Sequence, residues 1–304
     1  MLRRLWRGLK VWRRVGLGPV SLLFRFDRNV RISPGTLRLD RHHPLHRRTG
    51  RNSRNAPAGA SLPAGPHSAH RPCAVIVGVG PGVGYALAHL LATEGWDLIL
   101  VSRDADRLQS LVVELHALGV SVESYGADAT DESDVAELFV HVNQVHGVPA
   151  LVVYCVQHFS PGFAVDVETA AFETAWRHNC LGAFLVARAA AQAMVPGGSG
   201  TIVLVGSTSS IIGRAGHLNL AVGKFGQRAL AQVLARELWP RGIHVAHAII
   251  DADVAEDHDT LEAAPQSDPH HIASAILHLH QQPRTAWTSE LDLRPWNEAF
   301  WEHC

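Results

Sequence analysis

From residue 72 onward, short apolar runs alternate with longer stretches whose apolar residues recur every three or four positions. The runs at 74–77, 96–101, 120–125, 150–155, 201–206, 243–250 and 287–293 read as strands. The stretches between them predict helices from the glycine turn to residue 91, then over 104–118, 131–146, 172–194, 217–239 and 269–280. Asp104 is placed to cap the second of these. The run PGGSG at 196–200 ends the fourth helix and Pro240 the fifth. Strict alternation of buried strand and helix predicts one α/β domain over 72–304. Its form is a doubly wound, Rossmann-like parallel sheet of about seven strands. In that architecture ligands lie at the carboxyl ends of the strands, where Gly78, Arg103, Asp128, Cys155 and Ser207 fall.

Before residue 72 the pattern stops. Residues 1–71 carry sixteen Lys and Arg against two Asp, whereas residues 72–304 carry eleven against twenty-six Asp and Glu. A tail of +14 thus precedes a domain of −15, and the two call for separate accounts. Leu2, Leu5, Trp6, Leu9 and Trp12 share one face of a basic amphipathic helix over 2–15. Such a helix suits weak contact with an anionic membrane surface, and equally a mitochondrial presequence. An over-extended reading frame is the third alternative, and all three stay open. Residues 16–71, rich in Pro, Gly, Arg and His, read as disordered.

No apolar run is long enough to span a bilayer. The acidic domain is expected to bind no nucleic acid. Cys73, Cys155, Cys180 and Cys304 have no metal or redox spacing and read as reduced thiols of a cytoplasmic chain. A mitochondrial or membrane-peripheral location is the alternative if the tail is a targeting segment. Among the twenty histidines, His270-His271 and His278-Leu-His280 read as surface positions, and no metal site is expected.

The densest signal is 74–91, AVIVGVGPGVGYALAHLL. A strand, a turn with Gly78, Gly82 and Gly84, and a helix follow in succession. That succession brings bare backbone and a helix N-terminus against a phosphate. At the end of the second strand, where an acidic residue usually accepts the ribose hydroxyls of NAD, stand Ser102 and Arg103. An arginine there can grip a 2′-phosphate, so NADP(H) is favoured over NAD(H).

With these residues in view, the domain resembles the short-chain dehydrogenases/reductases over essentially all of 72–304. The family's glycine signature matches Gly78-x-x-x-Gly82-x-Gly84, with Val77 where Thr is usual. The Asp that contacts the adenine ring matches Asp128. The active-site Asn matches Asn179 in His178-Asn179-Cys-Leu-Gly182, the Ser matches Ser207, and the Lys of Tyr-x-x-x-Lys matches Lys224. The resemblance implies a NAD(P)-dependent oxidoreductase acting on a carbonyl/alcohol pair of a small molecule, as a homodimer or homotetramer. Ser207 would orient the substrate oxygen, Lys224 would hold the nicotinamide ribose, and Asn179 would anchor a water chain.

Three departures stand against this. The tyrosine position is Leu220, which can do no acid work. The Asn-Asn-Ala-Gly after the fourth strand is Tyr154-Cys155-Val156-Gln157. The Pro-Gly after the sixth strand is Ile250-Asp251. The alternative is therefore a catalytically silent cofactor-binding or scaffolding relative. One count favours retained function: the chain has two lysines, Lys10 and Lys224, and the domain's single lysine falls in the motif. The acidic segment 251–268 matches the family's substrate lid in position and reads as a solvated loop or a dock for the basic tail. Residues 287–296 read as the last strand with an aromatic contact.

Overall fold

The computed structural model describes residues 71–251, 253–254 and 266–297. The expected basic tail with its helix at 2–15, most of the acidic segment 251–268, and Cys304 lie outside the described residues. In chain order the elements are β1 (Cys73–Val77), α1 (Val83–Thr93), β2 (Asp97–Ser102), α2 (Gln109–His116), β3 (Val122–Gly126), α3 (Glu132–Val145) and β4 (Leu151–Tyr154). Next come α4 (Thr169–Trp176), α5 (Gly182–Met194), β5 (Gly200–Ser207), α6 (Leu218–Leu238) and β6 (Ile243–Ile250). Two-residue strands β7 (Asp253–Val254) and β8 (Gln266–Ser267), α7 (Pro269–Gln281) and β9 (Glu290–Leu293) complete the order.

Seven strands form one parallel sheet in the order β3-β2-β1-β4-β5-β6-β9. The chain winds outward from β1 to β3, then returns to β4 and winds the other way. The switch point between β1 and β4 is where such sheets bind ligands. Register brings the strand ends level there: Val77 pairs with Val101 on one side and Tyr154 on the other, and Ser207 pairs with Ile250. Successive side chains of β1 serve opposite faces. Ala74 and Ile76 pack with Leu87, Leu91 and Ile276, under α1 and α7. Val75 and Val77 pack with Val142, Val186 and Leu238, under α3, α5 and α6. Each Val, Leu or Ile among them, fully buried, contributes about 1.5–3 kcal/mol. Asp131 caps α3 by accepting from Ser133 N–H (2.8 Å), and Asp268 caps α7 by accepting from His270 N–H (2.8 Å).

Four expectations need correction. The helix expected over 172–194 starts at Thr169 and is interrupted by a π-helical turn, Arg177–Leu181. With its flanks it makes a helical stretch, Thr169–Gly197, that is long and apolar enough to cross a bilayer, contrary to the sequence reading. Ala183, Val186, Ala187 and Ala190 are buried against the sheet, as in a core helix. The last strand starts at Glu290 rather than 287. Arg284–Ala286 form a 3₁₀ turn, and Trp287 stacks on His244 (centroids 4.8 Å apart, 2° between planes). His280 is not a surface residue: it is half-buried, meets Trp96 edge-on, and bonds Thr201 Oγ1 at 2.9 Å.

Candidate functional site

The glycine turn is shaped by close approaches. Gly78 and Val79 N–H both donate to Val101 O (2.9 and 3.2 Å), tying the turn to the end of β2. Gly78 has φ +88°, and a Cβ there would lie 2.6 Å from Val156 Cγ2 and 2.8 Å from its backbone N. A Cβ on Gly84 would come within 3.1 Å of Val79 Cα. Gly82, also at φ +88°, starts α1 with no side chain bonding the first N–H groups and no acidic residue in the first turn. The positive end of the helix is left for an anion.

Two cavities meet over this turn at Gly78, Cys155 and Gln157, which line both. The smaller, about 320 Å³, runs over the ends of β2 and β3 and is lined by Ser102, Arg103, Arg107, Asp128, His158 and His178. The larger, about 550 Å³, runs over the ends of β4 to β6. Its walls include Gly82, Gly84, Ser207, His217, Leu220 and Asp251.

At the first end Thr130 N–H and its hydroxyl donate to Asp128 Oδ1 (2.8 and 2.9 Å). Burial opposes ionisation of Asp128. Those bonds, with His178 and Arg103 nearby, outweigh it and hold the carboxyl below its ordinary value. Arg103 Nη1 is 3.4 Å from His178 Nε2, and the His178 and His158 rings stack with centroids 5.2 Å apart. Ser102 Oγ accepts from Asp104 N–H at 3.4 Å.

At the other end Ser207 lines the cavity, and its N–H donates to Ser210 Oγ at 3.2 Å. Leu220, buried at 5 % exposure, forms wall where the motif would have its phenol. Lys224 and Asn179 stand behind that wall and do not line either cavity. Lys224 Nζ donates to Val205 O (2.9 Å) and Val156 O (3.2 Å). Burial pushes it down to about 7, against the opposing effect of Cys155. The Cys155 thiol is itself pushed up to about 12 by burial, so it is neutral beside the lysine. Asn179, fully buried, clamps the loop after β4: Oδ1 accepts from His158 N–H (3.0 Å) and Nδ2 donates to His158 O (2.8 Å). The nearby approach of α6 needs Gly223, whose Cβ would lie 2.5 Å from Asn179 Cβ.

The glycines, Ser102, Arg103, Asp128 and Ser207 therefore share one groove, with Lys224 and Asn179 packed behind it. Sequence reasoning did not single out His158, His178 or Gln157. The signals it had were the adjacency of His178 to Asn179 and of Gln157-His158 to the altered loop after β4. Asp251 was read as part of a solvated segment, but it is buried, accepts from the Thr208 hydroxyl and pairs with Arg294. Asp268 is buried as a cap. Among the described residues no group of three or more His, Cys, Asp or Glu is arranged to hold a metal.

The sequence profile of the short chain dehydrogenases matches residues 72–258, more than half of the chain. The chain belongs to the short-chain dehydrogenase family. Its fold is one that binds NAD(P), and its relatives are oxidoreductases. It is 33 % identical over 175 residues to sorbitol-6-phosphate 2-dehydrogenase of Escherichia coli K12, spanning 57 % of this chain and 68 % of that one. A crystal structure of a short-chain dehydrogenase from Rhodopseudomonas palustris matches with TM-score 0.67 and 31 % identity, over 74 % of this chain and 98 % of the other. The fold is also that of an alcohol dehydrogenase from Thermococcus sibiricus solved with 5-hydroxy-NADP (TM-score 0.66, 24 % identity, 75 % and 98 % covered).

Proposed function

We propose that this short-chain dehydrogenase is an NADP(H)-dependent oxidoreductase of a carbonyl/alcohol pair. The observation that carries the reading is the groove. One end is lined by Arg103, Arg107 and Asp128, the middle by the glycine turn and the open N-terminus of α1, the other end by Ser207. That order of groups suits adenosine 2′-phosphate, pyrophosphate and nicotinamide in turn. Bound there, the nucleotide supplies the hydride.

The chain's own residues do the rest. Gly78 and Gly84 allow the backbone close to the pyrophosphate, and the first turn of α1 faces its charge. Asp128, held ionised, offers its second oxygen to the adenine amine. Ser207 bonds the substrate oxygen. Lys224 acts from behind the wall, on the nicotinamide ribose side. With Leu220 in the phenol's place the proton reaches the substrate from water, and the missing acid costs about 10²–10⁴-fold in rate. The position of Leu220 also favours a second reading, a silent relative that binds the nucleotide without turning it over. Trp176, Phe184 and Phe225, exposed on α4, α5 and α6, support self-association as a homodimer or homotetramer.

Titrating the protein with NADPH and with NADH by nucleotide fluorescence tests the cofactor reading. The expected result is tighter binding of NADPH, with Arg103→Ala narrowing the gap by about 1.5–3 kcal/mol. Equal affinities, or no binding of either, refute it.

A further inference from the structure

The imidazole of His178 is wedged among groups that fix its orientation. Nδ1 lies 2.8 Å from Thr174 O, a carbonyl that can only accept, so Nδ1 carries the hydrogen. In the tautomer with hydrogen on Nδ1, Nε2 turns outward and can accept from Arg103 Nη1 across 3.4 Å. His158 covers one face of the ring (5.2 Å, 22°). The support beneath is rigid. Tyr154, in place of the motif's asparagine, donates its hydroxyl to His178 O at 2.5 Å. Its oxygen occupies the space next to Gly182, where a Cβ would come within 2.3 Å. Asn179 clamps both backbone groups of His158. His178 and Asn179 are consecutive residues of the π-helical turn Arg177–Leu181.

Arg103 itself is exposed. A guanidinium on a loop ranges over many rotamers, and an anion that captures it must immobilise it, at about 0.5–1.5 kcal/mol. The Asp128 carboxylate, whose ionisation Arg103 favours, lines the same cavity. The contact with His178 holds one Arg103 N–H at the 320 Å³ cavity that Arg103, His178 and Asp128 all line.

We propose that His178 is a positioning residue for Arg103 and sets the preference of the adenosine end for a 2′-phosphate. The inference rests on the nucleotide-binding reading above. It assigns His178 no contact with the reacting atoms. Discrimination then belongs to a pair, Arg103 and His178, joined from the loops after β2 and α4, rather than to the arginine alone.

The test is a set of dissociation constants for NADPH and NADH on the full chain, its His178→Ala, His178→Gln and Arg103→Ala variants, and the Arg103→Ala/His178→Ala double variant. His178→Ala is expected to weaken NADPH about 3- to 10-fold and leave NADH within about 2-fold. His178→Gln, whose amide oxygen can still accept from Arg103, is expected to recover most of the loss. Removing His178 from the Arg103→Ala background is expected to change nothing further, because the two residues act as one unit. Equal losses for both nucleotides in His178→Ala, no loss at all, or full additivity with Arg103→Ala overturns the proposal while leaving nucleotide binding intact. Failure of the unaltered chain to bind either nucleotide overturns the underlying reading, and the proposal with it.

Discussion

The two ends of the groove are built in opposite ways. At the end proposed for the adenosine, the charged and polar residues lining the cavity are exposed or half-buried: Arg103, Arg107, Asp128, His178. At the reacting end Leu220 shares the wall with Ser207, His217 and Asp251, and the two motif groups behind it are spent on backbone. Lys224 bonds two carbonyls and Asn179 clamps His158. On the proposed reading, the difference assigns the holding of a dinucleotide and the protonation of a substrate to separate parts of this fold. The first depends on glycines, a helix end and loop cations at the switch point. The second is assigned to one face of α6, where position 220 is a leucine.

The comparison breaks most visibly if Lys224 is an open, charged ammonium like the cations at the other end. Burial pushes it from 10.5 down to about 7. The unfolded chain keeps that proton up to about pH 10.5, while the folded chain releases it near 7. Between those values the unfolded chain binds more protons, so stability rises with pH. Below pH 7 both forms hold the proton and the contribution is flat. Relative to Lys224→Met, wild type is therefore expected to gain about 3 kcal/mol between pH 7 and 9.5. Denaturant melts of both across that range check it, and parallel curves would place a charged lysine in contact with water.

A second expectation concerns how tightly the wall behind Ser207 is packed. A Cβ on Gly206 would lie 2.3 Å from His247 Nε2 and 2.7 Å from Ser210 Oγ. Gly206→Ala is expected to destabilise the fold by about 1–3 kcal/mol. His247→Ala added to it should recover part of that loss in a thermal melt. If Gly206→Ala is neutral, the reacting end is looser than its geometry shows.

The third expectation sharpens the contrast by trying to remove it. Position 220 is one turn before Lys224 on the same face of α6. A phenol there would meet the cavity and, at or below about pH 7 where Lys224 holds its proton, the field of an ammonium that lowers the phenol's pKa. Leu220→Tyr is expected to raise NADPH-dependent reduction of aldehydes, ketones or quinones by about 10-fold or more, about 1.4 kcal/mol in the barrier. The gain should vanish in Leu220→Tyr/Lys224→Ala. A folded, NADPH-binding Leu220→Tyr with no gain on any substrate would favour the silent reading.

Much of this architecture was legible in the sequence because it is local. The strand ending at Val77, the glycine turn and the start of α1 are adjacent in the chain, and periodicity marks each. Arg103 and Asp128 were found because strand ends can be counted once the alternation is seen. What stayed hidden depends on residues distant in the chain. His158 meets His178 through a loop and a π-helical turn that no periodicity announces. Gly206 reads as an ordinary glycine until β6 brings His247 against it. Asp251 reads as solvated until β9 delivers Arg294. Lys224 falls in its motif in sequence, but the turn of its ammonium onto Val156 and Val205 is set by packing between α6, β5 and the loop after β4.

The separation of binding from protonation is tested most directly by a crystal structure of the protein with NADPH. The account predicts the adenosine 2′-phosphate against Arg103, the pyrophosphate at the first turn of α1, and the nicotinamide ring beside Ser207 with Leu220 at its edge and no protein acid within hydrogen-bond distance of a substrate oxygen there. Crystals without nucleotide at saturating NADPH, or a nucleotide whose 2′-phosphate lies away from Arg103, would contradict it.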